Sequence, residues 1–225
     1  MSRFPEFFAA APVLRLYDPL AEFLGAEANG MLEYRYVDMV RLAGHSCPTV
    51  ASAFLSVRAA LLALYGQRVP ERGRLLVEMR DEADDGVTGV IAAVAGAITG
   101  AAGPGGFAGI AGRFVRCGLL RFGASTPALM RLTRTDEGTA VEVEPHLERV
   151  PGDPHMGELL RSCATDVADE ATRSRFRELW QARVRALLLE HADDPEVFEV
   201  QETRKAPREA GLFGDPKVRS KGAGY

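Results

Sequence analysis

The most regular pattern in the chain is a run of large apolar residues that follows Pro48. They recur every three or four positions, at Val50, Phe54, Val57, Leu61 and Leu64. Residues at this spacing share one face of an α-helix, so the run predicts a helix with a buried side. Pro48 suits its first turn, where a backbone N–H is not needed, and Gly66 marks its end.

Weaker patterns predict the other elements. A helix over residues 16–24 is indicated by Asp18 as its N-cap, Pro19 in its first turn and Gly25 beyond its end. Further helices are predicted over 87–100, 158–166 and 170–191. Aromatic and β-branched residues predict strands over the front half of 32–42 and over 74–80, 113–123, 127–135, 139–145 and 196–202. Asp136, Glu137 and Gly138 predict a hairpin turn between two of these strands.

The order of these elements indicates the fold class. Strands alternate with helices in the first half of the chain and cluster in the second half. This order favours an α+β fold, in which a mixed β-sheet carries helices packed mainly on one face. We expect residues 1–202 to form this domain and residues 203–225, which are rich in Lys and Arg, to form a mobile tail.

Composition narrows the class of protein. The chain has 225 residues, of which 47% are hydrophobic, and a net charge of −4. This charge argues against a nucleic-acid-binding protein, which needs a basic excess. Three widely spaced cysteines do not make a disulfide framework and predict a cytoplasmic location. Residues 86–112 lack charge, but their Gly and Ala content argues against a membrane span.

The candidate chemistry lies just before the long helix, where His45 and Cys47 flank Ser46. Imidazole and thiolate are preferred ligands of zinc. A cysteine at a helix N-terminus is also stabilised as a thiolate by the helix dipole and the backbone N–H groups. These residues alone leave three interpretations open, which are a metal site, a metal-free nucleophilic cysteine, and a buried cysteine beside a histidine with no chemical role.

Two segments together resemble the FmdE-like family, which takes its name from a component of formylmethanofuran dehydrogenase. The first is DMVRLAGHSCPTVASAF (38–54), with its Gly-His-x-Cys-Pro motif, and the second is DDGVTGVIAAVAGAITGAAGPGGF (84–107). The resemblance covers roughly residues 15–200. It implies an α+β fold with a mixed sheet, and a metal site, usually taken as zinc, in which His45 and Cys47 are ligands.

The chain departs from the family pattern at several positions. Ala43 stands where the family often has the first histidine of a His-Gly-His stretch, and Thr49 replaces a glycine after the Cys-Pro pair. No cysteine opens the second segment, and the cysteine-rich ribbon of many members is absent. In place of the missing cysteine, we predict a carboxylate such as Asp85 as the third ligand. A site of His45, Cys47, Asp85 and water would be open, as in catalytic zinc sites.

The leading functional hypothesis is therefore a zinc protein that binds or acts on an unidentified small molecule, in a pocket walled by the glycine-rich loop 101–109. One alternative is an accessory component of a larger redox enzyme. Another is an enzyme that uses Cys47 as a metal-free nucleophile. The Gly- and Ala-rich helix at 87–100 is compatible with packing against itself in a homodimer.

Overall fold

A computed structural model describes residues 4–165 and 167–203. The helices are α1 Phe7–Ala10, α2 Pro19–Phe23, α3 Tyr36–Ala43, α4 Pro48–Tyr65, α5 Thr88–Thr99, α6 Met156–Ala164 and α7 Glu170–Arg185. The strands are β1 Leu14–Tyr17, β2 Met31–Tyr34, β3 Leu75–Met79, β4 Leu120–Arg121, β5 Met130–Arg134, β6 Ala140–Pro145 and β7 Phe198–Thr203. A 3₁₀ turn covers Leu147–Arg149, and a π-helical turn at Ala186–Glu190 extends α7.

The main sheet of the described residues has the strand order β4-β3-β5-β6-β7. The β3–β4 pair is parallel and the other pairs are antiparallel, so the sheet is mixed. A separate antiparallel pair joins β1 to β2. Helix α4 packs across β6 and β7, and α5 packs on β3.

The opposite face of the main sheet is polar and carries cross-strand ion pairs. Arg131 on β5 lies 2.5 Å from Glu142 on β6 and 4.0 Å from Glu78 on β3. Among the described residues, helices therefore cover one face of the sheet and leave the other uncovered. The predicted α+β class with a mixed sheet is confirmed.

Helix α4 forms the centre of the core, as its apolar stripe predicts. Phe54, Leu55 and Val57 have no exposed surface, and the ring of Tyr36 packs against Phe54 with 6.1 Å between ring centroids. With 18 residues, α4 is long and apolar enough to cross a membrane, but 67% of it is buried within the protein. The same length and composition are found in the central helix of a folded domain.

The charge-free segment 86–112 contains a helix of only 12 residues, α5. Such a helix rises about 18 Å, which is short of the roughly 30 Å of a bilayer core. Gly100 ends it with a φ of +77°, a value that favours glycine. Residues 101–109 then form a loop, as predicted.

Two sequence predictions need correction. The predicted strand 113–123 is wrong except at Leu120–Arg121, because positive φ values at Phe114 and Gly118 interrupt the extended backbone. The predicted helix 16–24 is shorter than expected, because residues 16–17 end β1 and α2 begins at Pro19. Asp18 caps this helix, as predicted. The front half of 32–42 contains β2, as predicted, and its back half is helical, as α3. Of the predicted tail, 203–225, only Thr203 belongs to the described residues, where it ends β7.

Candidate functional site

The His45–Cys47 segment is the short connection between α3 and α4. Gly44 ends α3 with a φ of +77°, which turns the chain out of the helix. Cys47 is the N-cap of α4, and its Sγ accepts a hydrogen bond from the backbone N–H of Val50 over 3.4 Å. Cys47 is 7% exposed. Its thiol therefore lies where a backbone N–H group and the start of an 18-residue helix both favour negative charge.

Ser46 holds this connection in place from two sides. Its hydroxyl lies 2.8 Å from the hydroxyl of Tyr36 and donates to Oε1 of Gln181 over 3.0 Å. Its carbonyl accepts from Nε1 of Trp180 at 2.9 Å and from Nε2 of Gln181 at 3.3 Å. Burial raises the pKa of Tyr36, which keeps its phenol protonated. The backbone between the two candidate ligands is thus fixed by α3 and α7.

The imidazole of His45 is oriented by its own loop. Its Nδ1 lies 2.9 Å from the carbonyl oxygen of Ala43, which accepts a hydrogen bond only if Nδ1 carries the proton. That tautomer leaves a lone pair on Nε2. A backbone carbonyl on one ring nitrogen is the usual support for a histidine that binds a metal through the other.

His45 and Cys47 border the same pocket, whose volume is about 420 Å³. The opposite wall comes from the 3₁₀ turn and the loop after it, from α6 and from α7, through Leu147, Gly152, Met156, Trp180 and Arg183. The guanidinium of Arg183 donates to the carbonyls of Val150 and Leu147 at 2.7 and 2.8 Å. No carboxylate among the described residues pairs with Arg183, so a positive charge borders the pocket.

The predicted third ligand lies elsewhere. Asp85 is exposed on the turn before α5, where its carbonyl accepts from the N–H of Thr88, and it does not border the pocket of His45 and Cys47. His45 also borders a second, smaller pocket of about 220 Å³ with Gly89 and Val90 of the first turn of α5. In the part of the chain that the structure describes, no three His, Cys, Asp or Glu side chains are grouped so as to hold a metal ion. Asp85 as a ligand stays a prediction.

The predicted pocket wall is wrong. The glycine-rich loop 101–109 does not border the pocket, because it follows the last turn of α5, whereas His45 lies beside the first turn. The sequence prediction also misses Trp180 and Arg183 as pocket residues. The signal that could have found Trp180 is its indole N–H, which needs a hydrogen-bond partner when the ring is buried.

Comparisons with known proteins identify no family for this chain. The chain matches no protein-family model, and no curated protein is similar enough in sequence to count as a match. The resemblance to the FmdE-like family therefore stays a prediction that rests on the two quoted segments.

Proposed function

We propose that the protein binds a small molecule in the pocket at the start of α4, with a zinc ion held by His45 and Cys47. The observation that carries the proposal is that both side chains border one pocket, while the residue between them is fixed by α3 and α7. A pair of ligands held by the fold loses little freedom when a metal binds.

The donor set fits zinc in part. Nε2 of His45 has no hydrogen-bond partner among the described residues, and Sγ of Cys47 accepts from a backbone N–H at the start of α4. Imidazole and cysteine sulfur are preferred zinc ligands. Two protein ligands are fewer than the three of a typical catalytic zinc site. The remaining positions would be taken by water, by the bound molecule, or by Asp85 after a movement of its turn. When bound, zinc would act as a Lewis acid on that molecule.

The other pocket residues would orient the bound molecule. Arg183 is already held by two backbone carbonyls, so its charge is fixed at the pocket wall. A fixed guanidinium favours a molecule that carries a carboxylate or another anionic group. Trp180 and Met156 provide an apolar surface for the rest of the molecule.

One observation also favours the nucleophile hypothesis. The backbone N–H of Val50 donates to Sγ of Cys47 at the start of α4, a position at which reactive cysteines are found in proteins without a metal. In that case His45, with its Nε2 lone pair, would act as the base that accepts the thiol proton.

Elemental analysis of the full-length protein tests the metal proposal. We expect about one zinc per chain in the wild type and almost none in His45→Ala and Cys47→Ser, because each variant leaves a single ligand of the pair. Reconstitution with cobalt adds a second readout, since thiolate coordination gives a charge-transfer absorption that Cys47→Ser would abolish.

Matched variants separate the site from general effects. His191→Ala and Cys163→Ser remove the same residue types from positions that do not border the pocket, and we expect both to keep the wild-type zinc content. Asp85→Asn tests the third ligand: its zinc affinity should be lower than that of the wild type if Asp85 binds the metal, and unchanged if it does not. A wild type that binds neither zinc nor cobalt would contradict the metal proposal, and rapid alkylation of its Cys47 by iodoacetamide would then favour the nucleophile.

A further inference from the structure

A second and larger cavity lies at the opposite end of α5 from His45. We call it the arginine cleft, and its volume is about 750 Å³. Of the residues that the structure describes, five arginines border it, against a single acidic residue, Glu71; the arginines are Arg72, Arg74, Arg113, Arg116 and Arg121. Asp18 lies beneath the cleft, in contact with Arg72 and Arg116. Positive charge is therefore in excess here, in a chain whose overall charge is negative.

Arg116 is buried at the base of the arginine cleft, with 7% of its side chain exposed. Two glycines make room for its guanidinium. A Cβ on Gly73 would lie 1.6 Å from Nη1, and a Cβ on Gly100 would lie 2.8 Å from the same atom. Nη2 donates to Asp18 at 2.7 Å, but Nε and Nη1 have no hydrogen-bond partner among the described residues.

The carboxylate of Asp18 is shared by two arginines. Arg72 donates to its Oδ2 at 2.7 Å and uses its remaining N–H groups on the carbonyls of Ala97 and Ile98, at the end of α5. Asp18 therefore neutralises one charge of the Arg72–Arg116 pair, and the second is only partly offset by the C-terminal dipole of α5.

The rim of the cleft carries further unpaired cations. Arg121 donates to the carbonyl of Gly118, and Arg113 lies over the ring of Phe114 with 4.6 Å to the centroid. Neither has a carboxylate partner in the described part of the chain. Elsewhere on the described surface, most arginines are paired with acids at 2.5–3.5 Å, so this clustering of unpaired arginines is local.

The backbone at this rim is strained. Ala111 and Phe114 have φ values of +47° and +62°, and they are the non-glycine residues with positive φ among those described. Such conformations cost free energy and persist where the surrounding structure requires them. Both residues flank Arg113, which borders the cleft together with Phe114.

We propose that the arginine cleft binds a small molecule that carries a compact dianionic group such as a phosphate. Guanidinium groups bind phosphate oxygens through paired, charge-assisted hydrogen bonds. A dianion at the rim would balance most of the excess charge of the cleft. Apolar residues of the same wall, such as Leu76 and Leu119, provide contact for an organic portion of the ligand. This site is separate from the pocket of His45 and Cys47.

Calorimetric titration of the full-length protein with inorganic phosphate tests the proposal, with sodium chloride at equal ionic strength as the reference. We expect saturable binding of one phosphate per chain. Arg113→Gln and Arg121→Gln should each weaken it about fivefold or more, which corresponds to losing one charge near the anion. Both residues lie at the rim without ion pairs among the described residues, so their replacement leaves the buried Asp18 contacts intact.

Arg175→Gln is the matched control, because it removes the same charge from an exposed position on α7, and it should bind phosphate as the wild type does. Citrate titrated in the same way distinguishes carboxylates from phosphate. Weaker binding of citrate supports the assignment, and tighter binding overturns it. The proposal would also be overturned if phosphate released no more heat than chloride. The same holds if Arg175→Gln weakened phosphate binding as much as Arg113→Gln and Arg121→Gln do.

Discussion

Asp18 combines two roles in one side chain. Its Oδ1 accepts from the N–H groups of Leu20 and Ala21 and so caps α2, while the same carboxylate binds Arg72 and Arg116. The cap could be predicted from the Asp-Pro pair, because capping depends on adjacent residues. The two arginines lie 54 and 98 positions away in the chain, so no local pattern indicates them.

We expect Asp18→Asn to lower the free energy of unfolding by about 3 kcal/mol or more at pH 7. Asparagine keeps the shape and the capping oxygen but removes the charge that two partly or fully buried guanidinium groups require. Urea denaturation measures the change. Asp84→Asn, on an exposed turn, is the control and should change the unfolding free energy by less than about 0.5 kcal/mol.

The pH dependence of the same variant gives an independent check. Burial alone would raise the pKa of Asp18, but the hydrogen bond from Arg72 and the charge of Arg116 bring it below its usual value. A carboxyl whose pKa is lowered by folding stabilises the protein above its unfolded pKa of about 3.9 and loses that contribution as the pH falls through its folded pKa. The difference in the free energy of unfolding between wild type and Asp18→Asn should therefore narrow as the pH falls below about 4. A difference that stays constant with pH would contradict the lowered pKa of Asp18.

At the scale of elements, the predictions that succeeded rest on patterns among residues that are close in sequence. Helices α4 and α5 repeat their apolar residues over many turns, and β5 and β6 are joined by a tight turn with Gly138 at a φ of +72°. Patterns of this kind depend on neighbouring residues only. The segment 113–123 is also rich in apolar residues, yet most of it is a loop, in which Phe114 and Gly118 have positive φ and Arg116 donates to the distant Asp18.

We expect Phe54→Ala in α4 to cost about 3–5 kcal/mol of unfolding free energy, because it opens a cavity beneath the main sheet. Leu62→Ala in the same helix is the control. Leu62 is 47% exposed, so its loss should cost less than about 1 kcal/mol. Guanidinium denaturation measures both, and similar costs for the two variants would mean that α4 does not pack as described.

At the scale of the whole molecule, α5 separates the two candidate sites. His45 lies beside its first turn and Arg72 binds the carbonyls of its last turn. Twelve residues of helix place these ends about 18 Å apart. The His45–Cys47 pair could be predicted from the sequence, because a single residue separates the two side chains. The pocket wall from α7 and the arginine cleft could not be predicted, because folding assembles both from distant segments.

This separation predicts that the two sites act independently. Cys47→Ser should leave phosphate affinity unchanged, and Arg121→Gln should leave zinc content unchanged. Their effects on the unfolding free energy should add to within about 0.5 kcal/mol in the double variant, as expected for sites without shared contacts. A larger deviation, measured by urea denaturation, would mean that α5 transmits a change between its ends.

The anchoring of Ser46 has a practical consequence. The protein contains a single tryptophan, and its indole N–H is bonded to the Ser46 carbonyl at the edge of the pocket. The ring is partly buried and lies near Phe176, with 5.4 Å between centroids. Tryptophan fluorescence from this chain therefore comes from one place only, so the native protein carries its own optical reporter beside His45 and Cys47, without any added label.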